Sequence, residues 1–398
     1  MNIGIYIGNL DPGSGGGFTF QESLLLQLNK VDTKHQFTIF YKGEIPASLK
    51  EIKLQQIAVD RKYSNEIFFS KIRYHWLSFL KKLRLHRKTV YRFSDLELTA
   101  TKENIELIWL PSQDYIPIGT LPYFFTVWDL QHRLQPYFPE VSNKNTWQQR
   151  EQTFSEAIRK AAYVITGTKT SKDEIVRFYD VPEERIHYGL LHPTPVFALQ
   201  CDKTYPLPAG ISTPYIIYPA QFWPHKNHIC VLLAIKYLKE KHNQRINVVF
   251  VGKDYGNKKY IEKKIVELGL SGQATIMGFI ERDNLVALYQ HSLALVYPSF
   301  FGPENLPPLE AMALGVPVIA ADMPGVREQL GDNALFFDPV NEQQLVENLL
   351  RIITDNSFRN ELIAKGKIRS HSYTVAHYIH DIMGLFDKFE KIRRCWDS

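Results

Sequence analysis

Residues 297–320 read Tyr297-Pro-Ser-Phe-Phe-Gly-Pro-Glu-Asn-Leu-Pro-Pro-Leu-Glu-Ala-Met-Ala-Leu-Gly-Val-Pro-Val-Ile-Ala320. They divide into an apolar segment that ends at Tyr297, a loop rich in glycine and proline, a short apolar helix around 309–314, and a second apolar segment from Pro317. The order strand, loop, helix, strand is typical of a parallel sheet with helical connections. The stretch therefore predicts an α/β fold.

The loop in this stretch is placed where an anion would bind. Gly302, Pro303, Glu304 and Asn305 follow the carboxyl end of one predicted strand and precede the N-terminus of a helix. Unpaired backbone N–H groups and the helix dipole favour negative charge there, so we expect a ligand that carries phosphate. Glu310 falls in the first predicted turn and could accept hydrogen bonds from two ribose hydroxyls. A charged first turn without any ligand explains Glu310 equally well.

The same residues resemble a known family signature. Pro298-Ser299, the run from Gly302 to Ile319, Gly325 and Glu328 are similar to the donor-binding motif of glycosyltransferase family 4. The resemblance implies a retaining enzyme that uses a nucleotide sugar. It also implies the GT-B fold, in which two doubly wound Rossmann-like domains face a cleft and a C-terminal helix crosses back to the first domain.

In that family, two glutamates are separated by seven residues. Glu310 matches the second, which contacts the ribose of the donor nucleotide, whereas Gly302 stands in the place of the first. The resemblance implies that backbone amides, Glu304 or Asn305 take over the role of the missing carboxylate. The donor-binding residues expected in this loop are Gly302, Pro303, Glu304, Asn305 and Leu306.

Length and composition agree with two domains. A chain of 398 residues exceeds what one hydrophobic core usually organises, and 44% hydrophobic with 22% charged residues is an ordinary globular composition. A segment rich in proline and glycine near 189–210 marks the boundary. With the resemblance, we expect an acceptor-binding domain over 1–195, a nucleotide-sugar-binding domain over 196–375, and a returning helix over 376–398.

Cysteine usage and hydropathy indicate the compartment. Cys201, Cys230 and Cys395 lack metal-ligand spacing, which argues for a reducing environment. No basic leader precedes the first predicted strand, and no apolar run approaches the length of a membrane span. We therefore expect a cytoplasmic protein. A formal net charge of +5 is modest for this length, and no nucleic-acid partner is expected.

The segment 67–88 differs from the rest of the chain. Aromatic residues and leucines alternate with lysine and arginine, and Glu66 is the one acidic residue between Arg61 and Lys88. Such a helix could place its apolar face in a lipid interface while its cations meet anionic head groups at the inner membrane face. A helix packed on its own domain with a solvated basic face explains the pattern equally well.

The N-terminus has a second glycine-rich loop. An apolar strand over 3–7 leads directly into 11–17, where Gly16 and Gly17 precede an apolar helix. Strand, glycine loop and helix in this order let backbone approach a phosphate or a sugar. A flexible turn without a ligand is the alternative. The spacing differs from the dinucleotide fingerprint, which argues against a nicotinamide cofactor.

A polar cluster follows the strand predicted over 121–127. The family usually has His-Asp here, near the acceptor and the reacting carbon, and this chain has Trp128-Asp129, with His132 one turn later. The resemblance therefore assigns Trp128, Asp129 and His132 to the acceptor side. Asp129 could accept a proton or orient a hydroxyl, or simply cap a helix.

A second donor motif is expected after the linker. Residues 215–228 resemble the family segment in which a basic pair grips the nucleotide diphosphate: Lys226 matches, Gln221 replaces the usual arginine, and His225 lies beside Lys226. The family contacts its nucleobase at the position of Gly278, Phe279 and Ile280.

The sequence thus predicts transfer of a sugar from a nucleotide sugar, GDP-mannose or a UDP-sugar, to a glycan or lipid-linked acceptor in cell-surface polysaccharide biosynthesis. The expected catalytic residues are Asp129, Lys226 and Glu304. No Asp-x-Asp pair occurs in the chain, so no metal and no cofactor are expected. The alternatives are a nucleotide-sugar epimerase of the same fold and a catalytically inactive binding partner. The inactive partner is favoured by three positions where expected residues are replaced: Gly302, Gln221 and Trp128.

Overall fold

The computed structural model describes residues 1–59, 94–201 and 203–396. The basic and aromatic segment 67–88 lies outside the described residues, so its contact with lipid stays a prediction. Within the described part of the chain, no helix has both the length and the apolar composition needed to cross a membrane.

The first sheet is formed by N-terminal residues. Its strands are β1 (Asn2–Asn9), β2 (Gln36–Lys42), β3 (Gln55–Ala58), β4 (Leu107–Leu110), β5 (Tyr123–Thr126), β6 (Tyr163–Ile165) and β7 (Ile186–His187). They are all parallel and lie in the order β3-β2-β1-β4-β5-β6-β7.

The second sheet repeats this architecture. Its strands are β8 (Tyr215–Pro219), β9 (Asn247–Val251), β10 (Ala274–Ile276), β11 (Ala294–Tyr297), β12 (Val318–Ala321) and β13 (Leu335–Phe337). They are also all parallel, in the order β10-β9-β8-β11-β12-β13. Strands such as β4, β11 and β12 are buried along their whole length because helices cover both faces of the sheets.

Helices connect the strands. Those of the first domain are α1 (Gly16–Leu28), α2 (Asp95–Lys102), α3 (Gln131–Leu134), α4 (Pro139–Ser142), α5 (Thr146–Lys160) and α6 (Lys169–Tyr179). The remaining helices are α7 (Val196–Leu199), α8 (His228–His242), α9 (Lys258–Glu267), α10 (Arg282–Gln290), α11 (Leu306–Ala313), α12 (Val326–Leu330), α13 (Glu342–Thr354), α14 (Asn356–Ser372) and α15 (Val375–Arg393). Each sheet reverses its winding at its first strand, between β1 and β4 and between β8 and β11, and ligands bind α/β sheets at such points.

The chain passes between the two sheets twice, and the two passages lie side by side. Thr194 on the first passage pairs with Thr374 on the second in a parallel bridge. The Thr194 hydroxyl also donates to the Ser370 carbonyl at 2.7 Å. Beyond Thr374, α15 packs on the first sheet, where the Phe386 ring stacks on Phe124 at 5.6 Å. The predicted return of the C-terminal helix is confirmed, whereas the domain boundaries at 195 and 375 stay predictions.

Candidate active site

A cleft of about 480 Å³ lies between the two sheets, among residues that follow β1, β5, β8, β9 and β11. The carboxyl ends of both sheets thus face it, as expected for a doubly wound fold. The predicted site residues that line it are Gly16, Gly17, Trp128, Asp129, Gln221, His225, Lys226, Phe279, Ile280, Gly302, Pro303, Glu304, Asn305, Leu306 and Glu310. Gly278 and His132 do not line it.

Lys226 is held in the cleft by two tyrosines. It ends the 3-10 turn Pro224–Lys226 after β8, and the Tyr218 hydroxyl donates to its backbone carbonyl at 2.6 Å. Its ammonium donates to the Tyr297 hydroxyl at 3.1 Å and lies 5.2 Å from the centroid of that ring. Tyr297 in turn donates to Asn305 Oδ1 at 3.0 Å. The ammonium is thereby fixed beside the 302–306 loop, where it can stabilise negative charge on a leaving group.

His225, the neighbour of Lys226, links the two domains. Its backbone N–H and its Nδ1 both bond to the Glu140 carboxylate of the first domain. Burial lowers the pKa of His225 below its ordinary value in spite of that carboxylate, so the ring is neutral at pH 7. Positive charge for a diphosphate must therefore come from Lys226 rather than from His225.

The helix that follows the 302–306 loop begins earlier than predicted. It starts at Leu306, with Asn305 as its N-cap residue. Pro307 and Pro308 fit the first turn because backbone N–H groups would be unpaired there in any case. Glu310 consequently lies in the second turn, where the helix dipole acts less strongly than in the predicted first turn.

The same prolines reduce the anion-binding capacity of this helix terminus. Of the four N–H positions that a helix start leaves without intrahelical partners, two are occupied by Pro307 and Pro308, and the Asn305 N–H donates to Gln329 Oε1 at 2.8 Å. In the described structure, Leu306 alone keeps such a donor for a ligand. A diphosphate bound here would depend strongly on the Lys226 ammonium.

The Glu310 carboxylate is buried at the edge of the cleft, and the residue is 6% exposed. The Tyr289 hydroxyl donates to its Oε2 at 2.7 Å. Burial raises the pKa of Glu310 to about 7, against the opposing effects of the Tyr289 hydrogen bond and of Arg282. Near neutral pH the group is therefore present both as a carboxylate and as a carboxylic acid, and only the carboxylate accepts hydrogen bonds with both oxygens.

The Glu304 carboxylate is directed toward the first domain. Its side chain is 2% exposed, and its Oε1 accepts the His192 N–H at 2.5 Å. A methyl group built on Gly167 would overlap it. Two features determine the loop conformation that orients Glu304 in this way. Gly302 has a φ of +122°, and Asn305 Nδ2 donates a hydrogen bond to the Gly302 carbonyl. The catalytic role predicted for Glu304 has no support in this orientation, because the carboxylate is engaged as a contact between domains.

Glu328 makes a second contact of this kind. Its Oε2 accepts the Lys169 N–H at 2.6 Å, and its Oε1 accepts the N–H and the hydroxyl of Thr170 at 3.0 and 2.7 Å. These groups form the first turn of α6, where a carboxylate is favoured by unpaired N–H groups and by the dipole. Two carboxylates of the second domain thus bind backbone of the first and hold the cleft in its present shape.

Asp129 is held by a residue that sequence reasoning missed. The Arg150 guanidinium, on α5, donates to its Oδ1 at 2.6 Å, and the Gln131 N–H donates to the same oxygen at 2.9 Å. Burial alone would raise the pKa of Asp129, but Arg150 and the Gln131 N–H outweigh it and keep the pKa below its usual range. A carboxylate with a low pKa is a weak base, so Asp129 is better suited to orienting a hydroxyl than to accepting a proton.

Trp128 and His132 are placed differently from each other. The Trp128 ring lines the cleft, where it packs edge-to-face against Phe20. A methyl group built on Gly17 would lie 3.5 Å from the Trp128 ring. His132 is fully buried behind the cleft, with its Nε2 2.9 Å from the Tyr179 hydroxyl. The prediction that His132 lies on the acceptor side is therefore corrected, because α3 turns this ring into the core. Burial lowers the pKa of His132 to about 4, which keeps it neutral.

The predicted nucleobase segment lies partly at the cleft. Phe279 and Ile280 line it, whereas Gly278 does not. The Gly278 carbonyl accepts the Gly252 N–H at 2.8 Å. Lys253, which was missed, lies 5.5 Å from the Phe279 ring centroid and reaches the glycine-rich loop of the first domain. Its position directly after the end of β9 is the signal that could have identified it.

The glycine-rich loop begins α1 at the cleft. Gly15, at φ +76°, is the N-cap residue, and Gly16 and Gly17 form the first turn. A methyl group built on Gly13 would overlap the Lys253 ammonium, so the absence of a side chain there permits this approach. The α1 N-terminus, which favours negative charge, and the Lys253 ammonium therefore lie close together at the cleft. The Asp11 carboxylate, 3.7 Å from that ammonium, offsets part of its charge.

Within the described residues, one group of three neighbouring side chains could hold a metal ion, and it lies away from the cleft. His35, Asp387 and Glu390 lie close together where α15 meets the first domain. The Lys34 ammonium bonds to both carboxylates, at 2.8 and 2.7 Å, so the group has its own cation. The cluster ties the returning helix to the first sheet.

Comparisons with known proteins identify the proteins that this chain resembles. Residues 209–369 match the family model described as Glycosyl transferases group 1. The chain is 26% identical over 244 residues to O-antigen chain mannosyltransferase B of Escherichia coli, an alignment that covers 59% of this chain and 63% of that protein. It is 28% identical over 214 residues to O-antigen chain mannosyltransferase RfbU of Salmonella typhimurium, covering 52% of this chain and 57% of that protein. The chain thus aligns with less than two thirds of either relative.

Solved structures match over nearly the whole chain. Anabaena HepE in complex with UDP-glucose has a TM-score of 0.70 at 15% identity, covering 98% of this chain and all of that chain. WaaG, a glycosyltransferase involved in lipopolysaccharide biosynthesis, has a TM-score of 0.64 at 14% identity, covering 96% and 98%. The protein therefore has the GT-B fold. Within that fold, its second domain matches the group 1 glycosyl transferases.

Proposed function

We propose that the protein is a retaining glycosyltransferase of family 4. It moves a sugar from a nucleotide sugar, GDP-mannose or a UDP-sugar, to a glycan or lipid-linked acceptor in cell-surface polysaccharide biosynthesis. The observation that carries the proposal is one cleft that contains both a fixed ammonium, Lys226, and a buried carboxylate with a free oxygen, Glu310. The O-antigen mannosyltransferases among its relatives and the UDP-glucose complex of HepE support the sugar chemistry.

Different residues of the cleft act on different parts of the substrates. The barrier is charge separation, since an oxocarbenium-like sugar parts from a nucleoside diphosphate, and Lys226 and the Leu306 N–H stabilise the departing charge. Glu310 accepts the ribose hydroxyls, and Asp129 orients a sugar hydroxyl. The sugar–phosphate bond breaks, the acceptor oxygen bonds to the anomeric carbon, and the departing diphosphate takes the acceptor proton. Attack on the face that the diphosphate leaves gives retention.

A screen of nucleotide sugars tests this function. A ligand present at a hundred times its Kd should add about 2.7 kcal/mol to the free energy of unfolding. We expect GDP-mannose or a UDP-sugar to raise Tm, and the same compound to release its nucleoside diphosphate when a glycan acceptor is added. Stabilisation without release or transfer would instead indicate the inactive binding partner, which the orientation of Glu304 favours. Conversion of the sugar without transfer would indicate an epimerase.

Metal dependence gives a separate prediction. Because Lys226 and backbone N–H groups are proposed to neutralise the leaving group, transfer should continue in excess EDTA at an unchanged rate. The measurement is the initial rate with and without EDTA, with Mg²⁺ and Mn²⁺ added back to the chelated enzyme. A strict requirement for either ion would contradict the metal-free reaction.

Membrane association of the segment 67–88 is also proposed, as the route to a lipid-linked acceptor. Each cation near an anionic surface contributes about 1 kcal/mol, so the protein should sediment with anionic vesicles, and salt should weaken the binding. The comparison variant carries glutamine at Lys71, Arg73, Lys81, Lys82 and Arg84. Equal binding by both proteins, or by neither, would leave the segment as a packed helix with a solvated basic face.

A further inference from the structure

The Tyr289 hydroxyl and the Glu310 carboxylate form a buried pair in the second domain. Tyr289, on α10, is fully buried, and its hydroxyl lies 2.7 Å from Glu310 Oε2. Among the described residues, this is the one side-chain hydrogen bond to that carboxylate. Glu310 itself lines the cleft, so its other oxygen, Oε1, remains for a ligand.

We propose that Tyr289 is a positioning residue, which holds Glu310 Oε2 so that Oε1 faces the ribose hydroxyls of a bound nucleotide. This inference rests on the proposed function and deepens it. A carboxylate on a helix side chain can rotate about several bonds, and one fixed oxygen removes that freedom before the ligand arrives. The tyrosine thereby acts on nucleotide binding without touching the nucleotide.

The charged groups around the pair determine how it responds to pH. Arg282, on the same helix as Tyr289, acts on Glu310 from a distance and is ion-paired with Glu22 of the first domain at 2.7 Å. Tyr297, on β11, acts electrostatically on Tyr289, and its hydroxyl accepts a hydrogen bond from the Lys226 ammonium. Burial raises the pKa of Tyr289 well above its ordinary value, so its hydroxyl remains a donor throughout the physiological range.

Nucleotide affinity should decrease as the pH falls. Burial raises the pKa of Glu310 to about 7, and the Tyr289 hydrogen bond opposes that rise. The carboxylate that accepts from ribose is therefore lost as the pH falls through about 7, and nucleotide affinity should fall with it. Removing the Tyr289 hydroxyl should move this loss to higher pH, because the bond that favours the ionised form has been removed.

Tyr289→Phe tests the proposal, with GDP and UDP as probes. Calorimetric titration between about pH 6 and about pH 8 spans the ionisation of Glu310. We expect the Kd of the better nucleotide at pH 7 to rise about three- to tenfold, as for the loss of one hydrogen bond. The decline in affinity toward low pH should also begin at a higher pH than in the wild type, while kcat at saturating donor changes little.

The chain offers a matched control. Tyr215 is equally buried, and its hydroxyl donates to the Leu288 carbonyl of the same helix at 2.7 Å, away from the cleft lining. Tyr215→Phe loses the same kind of bond and should leave the Kd and its pH profile unchanged. In a Glu310→Gln background, which has no carboxylate to titrate, Tyr289→Phe should no longer shift the pH profile.

The outcomes separate the two proposals. Wild-type protein that binds neither GDP nor UDP would overturn the proposed function, and the role of Tyr289 with it. If the wild type binds but a folded Tyr289→Phe variant keeps its Kd and pH profile, the positioning role alone is overturned. An equal pH shift in Tyr215→Phe, or one that persists in the Glu310→Gln background, would overturn it as well.

Discussion

Replacing Lys226 with alanine is expected to lower kcat by about 10²- to 10³-fold, the usual effect of removing one stabilising group from a developing anion. The Lys226 ammonium is held by the Tyr297 hydroxyl and lies at the 302–306 loop, where a leaving diphosphate gains charge as the sugar departs. The donor KM should change less than kcat, because the interaction strengthens in the transition state. The measurement is steady-state transfer over a range of donor concentrations.

Lys236→Ala is the matched control for this change. Lys236 lies on α8 of the same domain, is ion-paired with Glu240 on the surface, and does not line the cleft. Its loss should leave kcat unchanged. Wild-type turnover in a folded Lys226→Ala variant would refute the role assigned to this ammonium. Tyr297→Phe should give a smaller loss in kcat, since it frees the ammonium without removing it.

Replacing Glu310 with alanine should act mainly on donor binding. A hydrogen bond to a charged group contributes about 1.5–3 kcal/mol, so the donor KM should rise by roughly 10- to 150-fold. The partner is a ribose whose charge does not change during the reaction, and kcat at saturating donor should therefore fall much less than in Lys226→Ala. The measurement is the ratio of the effects on KM and on kcat in the two variants.

A second substitution, Glu310→Gln, distinguishes a loss of donor binding from a loss of stability. Alanine at 310 leaves a cavity and an unpaired Tyr289 hydroxyl, which destabilises a buried site, whereas Glu310→Gln keeps the volume and an acceptor oxygen. The glutamine variant should show a smaller rise in KM and no pH dependence near 7. A kcat effect in folded Glu310→Ala as large as that of Lys226→Ala, with KM unchanged, would rule out the ribose assignment.

The α/β class and most of the central strands could be predicted, because these strands are short apolar runs between loop residues. Other elements could not be predicted, and β3 and α14 illustrate the physical reasons. The edge strand β3 is only half-buried, so no apolar alternation distinguishes it. The helix α14 buries Leu362, Gly366 and Ser370, four residues apart, against α11. Small and polar residues on the packed face leave no apolar stripe in the sequence.

The sequence could predict which residues lie at the cleft when their place depends on the strand that they follow. Lys226 and Asp129 belong to the loops that follow β8 and β5, and they lie at the cleft because the carboxyl ends of the strands face it. Side-chain direction was not predictable, because Glu304 turns toward His192 and Gly167 only once the two domains meet. His132 was misplaced for a similar reason, since its burial depends on Tyr179 of a distant helix.

The prolines of the 302–308 segment have a consequence for conformational entropy. Pro303, Pro307 and Pro308 fix the φ angle at three of its seven residues. An unfolded chain restricted in this way has fewer conformations to lose on folding. Each proline at a compatible position thereby raises the free energy of unfolding by about 0.4–1 kcal/mol. The prolines that remove two hydrogen-bond donors from the start of α11 thus also keep the loop ordered before a ligand arrives. Nucleotide binding then costs less conformational entropy, because the backbone around the nucleotide is already ordered.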